Sequence, residues 1–313
     1  MPTLTADPLR TVSPDADRQR SRRRRRKAVE PLLYLAPAFI VLALIIGYPL
    51  LDVVRTSFMS SSLIRPGQDR FTGLDNFATL FSDPTFWTVT ARTAVWAVSA
   101  WLLQITLGLG IAHVLAKKIF ARGFVRTTMI LPWVVPGVLA ALIWRFMLDP
   151  VQGPVNELLK ATGLLDNPPL WLANTSTVLP VLILIGAWKW TPFTVVILLA
   201  GLQQIPHEQH EAAMMDGASP WQRLWHVTIP GLRTSLALCS LTAISGAINN
   251  FNGIWLFTQG GPAGASEILT TYAYRTAFVG FDFGAAGAIS MVIFAVMMVL
   301  ATVYFYVVEG RKR

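Results

Sequence analysis

Few side chains in this 313-residue chain are placed to do chemistry, and their spacing excludes most catalysis. His207-Glu-Gln-His210-Glu211 invites a metal, but its histidines stand three apart, not the four of a zinc helix, and a solvated helix start accounts for the run. His113 has no second histidine or cysteine within a turn and reads as a bundle histidine, and His226 reads as a polar helix position. There is no GxxxxGK[ST] loop and no GxSxG elbow, and Gly108-Leu-Gly110 lacks the third glycine and the strand context of a dinucleotide loop. The chain is therefore expected to have no catalytic residue, no metal site and no cofactor of its own. Cys239 is the only cysteine, so no internal disulfide can form. What remains is Lys189, the amides Asn249, Asn250 and Asn252, and the segment 211–230, EAAMMDGASPWQRLWHVTIP.

That segment reads as two short helices at an elbow. Pro206 suits a first helical turn and Gly217 a left-handed end, and Ser219-Pro220-Trp221-Gln222 supplies a capping serine, a proline at the first position and a glutamine at the third. Trp221, Leu224, Trp225 and Thr228 then fall on one stripe, a knob fit for a partner's groove, until Pro230 breaks the run. Asp216 is expected to cap the turn after Gly217, because a carboxylate at a helix C-terminus is disfavoured by the dipole.

The elements around the elbow are those of a bilayer. The chain is 53% hydrophobic and 14% charged, too apolar for an ordinary soluble domain, and its apolar residues gather in six runs: 32–51, 94–116, 127–144, 178–201, 234–257 and 284–308. Each is about the roughly 20 residues that a spanning helix needs, and helices satisfy their own backbone in lipid. Lys189 is the only charge inside them. The loops on one side hold eighteen basic residues, nine of them before the first run, against four on the other. By this bias both termini and the elbow loop, 203–230, are cytoplasmic. The +9 net charge is thus a topology signal, and the 22–27 basic run reads as an anchor beside anionic lipid rather than a nucleic-acid site. Residues 1–30 are expected to be a disordered tail and 31–310 one six-span, all-helical domain. The first outer loop, 55–92, reads as turns; Pro154 to Gly163 reads as a short amphipathic helix; and Thr258-Gln-Gly-Gly-Pro262 opens the third outer loop as a flexible turn.

Glu211-Ala-Ala213, Asp216-Gly-Ala218 and Val227-Thr-Ile-Pro230 resemble the EAA motif of the membrane subunits of binding-protein-dependent ABC importers. Trp188-Lys-Trp-Thr-Pro-Phe193, Ala200-Gly-Leu-Gln-Gln-Ile-Pro206, and Thr258-Gln-Gly-Gly-Pro262 with Tyr274-Arg-Thr-Ala-Phe278 are similar to the carbohydrate branch of those permeases, the maltose and glycerol-phosphate type. The resemblance implies an elbow that docks as a coupling helix on a cytoplasmic ATPase, through Glu211, Ala212, Ala213, Asp216, Gly217, Ala218, Trp221, Leu224 and Trp225. It also implies the partners: a second homologous permease, two ATPase subunits holding ATP and magnesium, an extracytoplasmic binding protein and a carbohydrate. Counting from the shared prolines, the resemblance puts Gly186, Lys189, Trp190, Phe193, Ala243, Gly246, Ala247 and Asn250 on the sugar path. Only Asn250 keeps the maltose permease's residue type, and Phe193 roughly, so the sugar itself does not follow.

Two readings stay open. Lys189 either hydrogen-bonds a helix-end carbonyl or a partner, or lies on the sugar path with Trp190 and Phe193 as ring faces. Asn249 and Asn252 either bond between helices or face the path, and Asn250 is favoured for substrate. The rival class, an ion-coupled secondary transporter of small polar solutes, needs an acidic coupling site, and the span interiors hold no Asp or Glu.

Overall fold

The structure, a computed structural model, describes residues 34–62, 64, 67–117 and 120–309; the basic tail read over residues 1–30 lies outside them. The chain divides into two compact units between Arg55 and Thr56. The first holds most of helix α1 (Tyr34–Ser57), whose mean hydropathy reaches 2.2 and which contains a π-helical stretch at Ala43–Gly47.

The second unit opens with the antiparallel strands β1 (Met59–Ser60) and β2 (Arg70–Phe71), then α2 (Asp75–Ser82) and the 33-residue α3 (Pro84–Ala116). Here the structure corrects the predicted 94–116 span and 55–92 turns. Asp83 accepts the Thr85 backbone N–H at 2.8 Å and Pro84 takes the first helical position, so the helix starts well before the apolar run does. The added turns bury Phe86 and Val89.

The run 127–144 is not one helix either. α4 (Arg122–Val134) and α5 (Gly137–Met147) meet at 96°. Pro136 is the cause: the residue before a proline is driven out of the helical region, and Val135 sits at φ −59°, ψ 126°.

Predicted boundaries hold better beyond this point. α6 (Pro154–Ala161) starts at its proline and is followed by Gly163 at φ +68°. α7 (Val178–Leu202) matches the fourth run, and α13 (Phe283–Glu309) the sixth. Between them lie α8 (His207–Met215), α9 (Pro220–Gly231), α10 (Arg233–Ile248), α11 (Asn252–Thr258) and α12 (Leu269–Phe278). The fifth run, 234–257, is interrupted between α10 and α11. Asn249 Nδ2 adds a 3.0 Å bond to Ser245 O, which already holds the Asn249 N–H, and Asn250 Oδ1 accepts Gly253 N–H at 2.9 Å, a side chain standing in for a ladder bond. Pro230, expected to break the chain, lies inside α9; the 74° bend falls at Leu232. Among the described residues four helices, α1, α3, α7 and α13, are long and apolar enough to cross a membrane, and up to six if each bent pair counts as one span.

α3 lies along α7, and α10 crosses α3. Trp96, 1% exposed, packs with Leu182, Ile248, Ile254 and Ile268, and its Nε1 donates to Ala247 O at 2.9 Å. Toward the other end of α3, Ala112 and Leu115 meet Val195, Leu198 and Cys239. Small residues let the backbones approach: a Cβ on Gly108 would lie 2.7 Å from Thr194 Cγ2.

The segment 258–268, predicted to open as a flexible turn, is held firmly. Ser266 is fully buried, shares a 2.7 Å bond with Thr258 Oγ1 and donates to Gly261 O at 2.6 Å. Arg92 Nη1 reaches Gly264 O at 2.7 Å, and Thr93 Oγ1 accepts Leu269 N–H at 2.9 Å, so α3 holds the loop. Arg275 Nε and Nη2 grip both oxygens of Glu267, which is 4% exposed, at 2.6 and 2.9 Å. Tyr272 donates to Asp83 at 3.1 Å. The Thr85 N–H, chiefly, holds the Asp83 carboxyl below its ordinary range, while burial first and Asp83 second push the Tyr272 hydroxyl up to about 12.

Candidate functional site

Two places gather the residues singled out in the sequence: a cavity between α3, α7 and α10, and the elbow. The cavity encloses about 410 Å³. Trp190 and Phe193 reach it from α7, and Ala243, Gly246 and Ala247 from α10, with Asn250 at the interruption that follows. Gly186 lines it too and gives room to Trp96, whose ring edge lies 3.4 Å from where a Cβ would sit. Phe193 also stacks on Trp133 of α4, ring centres 5.8 Å apart. Asn250 spends its Oδ1 on the Gly253 N–H, so it shapes the kink as well as the wall. Trp96, Ala100, Gln104, Thr242 and Ser245 also line it and were missed in the sequence. A lone amide such as Gln104 inside an apolar run was the available signal.

Lys189 does not line this cavity. Its side chain turns to the α4–α5 break and donates to Val135 O at 2.6 Å, a helix-end carbonyl left without its ladder partner. Its Nζ lies 5.9 Å from the Trp190 ring centre and borders a second cavity of about 400 Å³. Of the other amides, Asn249 contacts Met297 Sδ of α13 at 3.5 Å and faces the first cavity, while Asn252 borders the second.

The elbow keeps the geometry its sequence specified. Gly217 sits at φ +76°; its N–H returns to Met214 O at 3.0 Å and that of Ala218 to Ala213 O at 2.9 Å, a Schellman ending. Ser219 and Gln222 form the reciprocal capping box at 2.7 and 3.3 Å, and α9 starts at once. Asp216 does not cap the turn after Gly217 as expected: its side chain is exposed and makes no cap bond, only its backbone N–H returns to Ala212 O, and Ser219 is the residue that caps. Glu211 and Ala212 are exposed too, and Ala213 and Ala218 are half-buried. Leu224–Thr228 is π-helical, an irregularity no spacing rule anticipates. Trp221 and Trp225, 66% and 50% exposed, meet edge to face at 5.7 Å, with Leu224 half-buried beside them. The elbow is fixed at its root, where Thr228 and Leu232 are buried and Ile205 presses on Gly231.

Residues 104–313 match the family described as the inner membrane component of binding-protein-dependent transport systems. The permease protein of the sulfoquinovosyl glycerol transport system of Agrobacterium fabrum is 32% identical over 281 residues, 90% of this chain and 90% of that protein. The permease protein of the trehalose/maltose transport system of Thermococcus litoralis is 30% identical over 287 residues, 92% of this chain and 96% of that protein. A solved bacterial ABC transporter involved in the import of the acidic polysaccharide alginate has the same fold, with a TM-score of 0.76 at 23% identity over 93% of this chain and 99% of its own. With the capped elbow in place and its apolar helices around a cavity, this multi-pass membrane protein belongs to the inner membrane components of binding-protein-dependent transport systems, the permease subunits of ABC transporters.

Proposed function

We propose that the chain is one of two homologous permeases that carry a carbohydrate into the cytoplasm of a bacterial cell by alternating access. Each bent helix pair counts as one span in this reading, which gives six in the cytoplasmic membrane, with both termini and the elbow on the cytoplasmic side. ATP and magnesium are held, and ATP is hydrolysed, by two cytoplasmic ATPase subunits. Glu211, Gly217 and the exposed Trp221 and Trp225 face them and transmit their motion. An extracytoplasmic binding protein delivers the sugar to the outer loops.

The observation that carries this reading is convergence. Trp190, Phe193, Ala243, Gly246, Ala247 and Asn250, far apart in sequence, share one cavity whose aromatic faces and amides suit a sugar ring. Relatives named for sulfoquinovosyl glycerol and for trehalose or maltose support the substrate class. The test is reconstitution in vesicles with the second permease, the ATPase and the binding protein, followed by uptake of radiolabelled sugars. Uptake should require ATP inside and the binding protein outside, and Asn250→Ala should change the ranking of sugars. Saturable uptake without ATP, or an unchanged ranking in Asn250→Ala, contradicts it.

A further inference from the structure

We propose that Lys189 is the anion-recognising residue of this permease, so that its carbohydrate is an acidic one, bearing a carboxylate, sulfonate or phosphate. The proposal rests on the carbohydrate reading above and adds a charge to it. Lys189 is the one cation within the apolar runs. Among the described residues the ion pairs are Arg55–Asp52, Lys160–Glu157 and Arg275–Glu267, and none includes it. An ammonium carries three donors, and the bond to Val135 O uses one. A neutral hydroxyl or amide would satisfy that carbonyl equally well, without bringing an uncompensated, half-buried charge into an apolar helix. The charge therefore has a use that the helix end does not supply.

The space beside it fits that use. The cavity bordered by Lys189 also presents Trp133 and Trp190, two ring faces, and the amides of Asn250 and Asn252. It shares Trp96, Gly186, Trp190 and Asn250 with the cavity of the predicted sugar path, so the two chambers adjoin. A substrate whose ring lies against Trp190 and Phe193 in the first chamber reaches the ammonium with a charged substituent in the second. There the low surrounding dielectric strengthens the pairing, and aromatic walls with an off-centre cation distinguish an acid from its neutral parent.

The test uses the complete transporter in lipid nanodiscs and two matched probes, cellobiose and cellobiouronic acid, which differ by one carboxylate. Binding is measured by equilibrium dialysis of the radiolabelled sugars. The parent is expected to hold the acid about tenfold more tightly, a gap on the order of one desolvated charge pair. Lys189→Arg should keep the gap, and Lys189→Gln should abolish it while complex yield stays as in the parent. Equal binding of the two probes by the parent, or a gap that survives Lys189→Gln, overturns the charge assignment and leaves the carbohydrate reading intact. An equal loss of both probes in Lys189→Gln assigns the lysine to the helix end alone. Binding of neither probe by the parent counts against the carbohydrate reading and takes this proposal with it.

Discussion

The segment between α11 and α12 turns its polar groups inward, whereas the elbow between α7 and α10 turns its side chains out. In the first, Ser266 and Glu267 are both buried, and arginines from α3 and α12 close on the loop. In the second, α8 buries no residue and α9 offers two exposed tryptophans. Both segments are nonetheless well determined. The segment after α11 is held by long-range bonds within this chain, and the elbow by local bonds that fix its shape while leaving its tryptophans exposed. The coupling role proposed for the elbow needs a rigid shape, and local bonds can specify one.

Breaking the inward loop should cost most. Arg275→Met leaves the buried Glu267 carboxylate without its donors, an effect of about 1–3 kcal/mol, because the guanidinium itself is nearly half exposed and its charge is screened. Thermal unfolding of the detergent-solubilised protein should show it, and adding Glu267→Met should recover most of the loss; a single variant melting with the parent would mean that the pair does not hold the loop. Alkali tests the same junction. Tyr272 has a folded-state value raised from 10 to about 12, so its contribution is full below pH 10 and is lost as pH rises through about 12. Absorbance near the tyrosinate band should report one late-ionising tyrosine in the parent, and an Asp83→Asn variant should ionise it earlier.

At the elbow the expected costs are smaller and the functional losses larger. Gly217→Val meets no atom within 4 Å of its Cβ, so its penalty is the left-handed backbone alone, roughly 1–2 kcal/mol. The complex should assemble and uptake should collapse; normal uptake by both this variant and Glu211→Lys would remove the coupling role. Ser219→Ala loses one half of the capping box, about 1 kcal/mol, visible as faster amide exchange at Gln222 with little change in global stability. Trp221→Ala should shift stability by less than about 0.5 kcal/mol, because the ring is two-thirds exposed, yet release the ATPase subunits on purification. Retention at the parent level would show that the exposed pair is not a docking surface.

Much of this was legible in the residues. Gly217, Ser219 and Gln222 announced the elbow because caps and left-handed turns are local: each bond closes within five positions, and residue type alone selects it. The ends of α7 and the course of α13 followed from apolar run length, which the bilayer sets. The early start of α3 was readable too, in Asp83-Pro84, but a search for apolar runs passes over a helix that begins in polar residues. Val135-Pro136 likewise carried the signal of the 96° break inside a run that hydropathy scores as continuous.

What the sequence by itself determined, then, is where backbone conformation is dictated by near neighbours and where chain must be lipid-compatible: the caps, the turns, the apolar helices and the type of family they suggest. Only the tertiary structure decided which side chains meet. Glu267 and Arg275 look like two ordinary loop charges until packing buries one against the other. Trp190 and Lys189 are adjacent in sequence, yet successive positions on a helix point about 100° apart. Trp190 lines both cavities, whereas Lys189 borders only the second and reaches the broken helix end, because the backbone after α4, opened by a proline 53 residues away, supplies the carbonyl that the lysine finds.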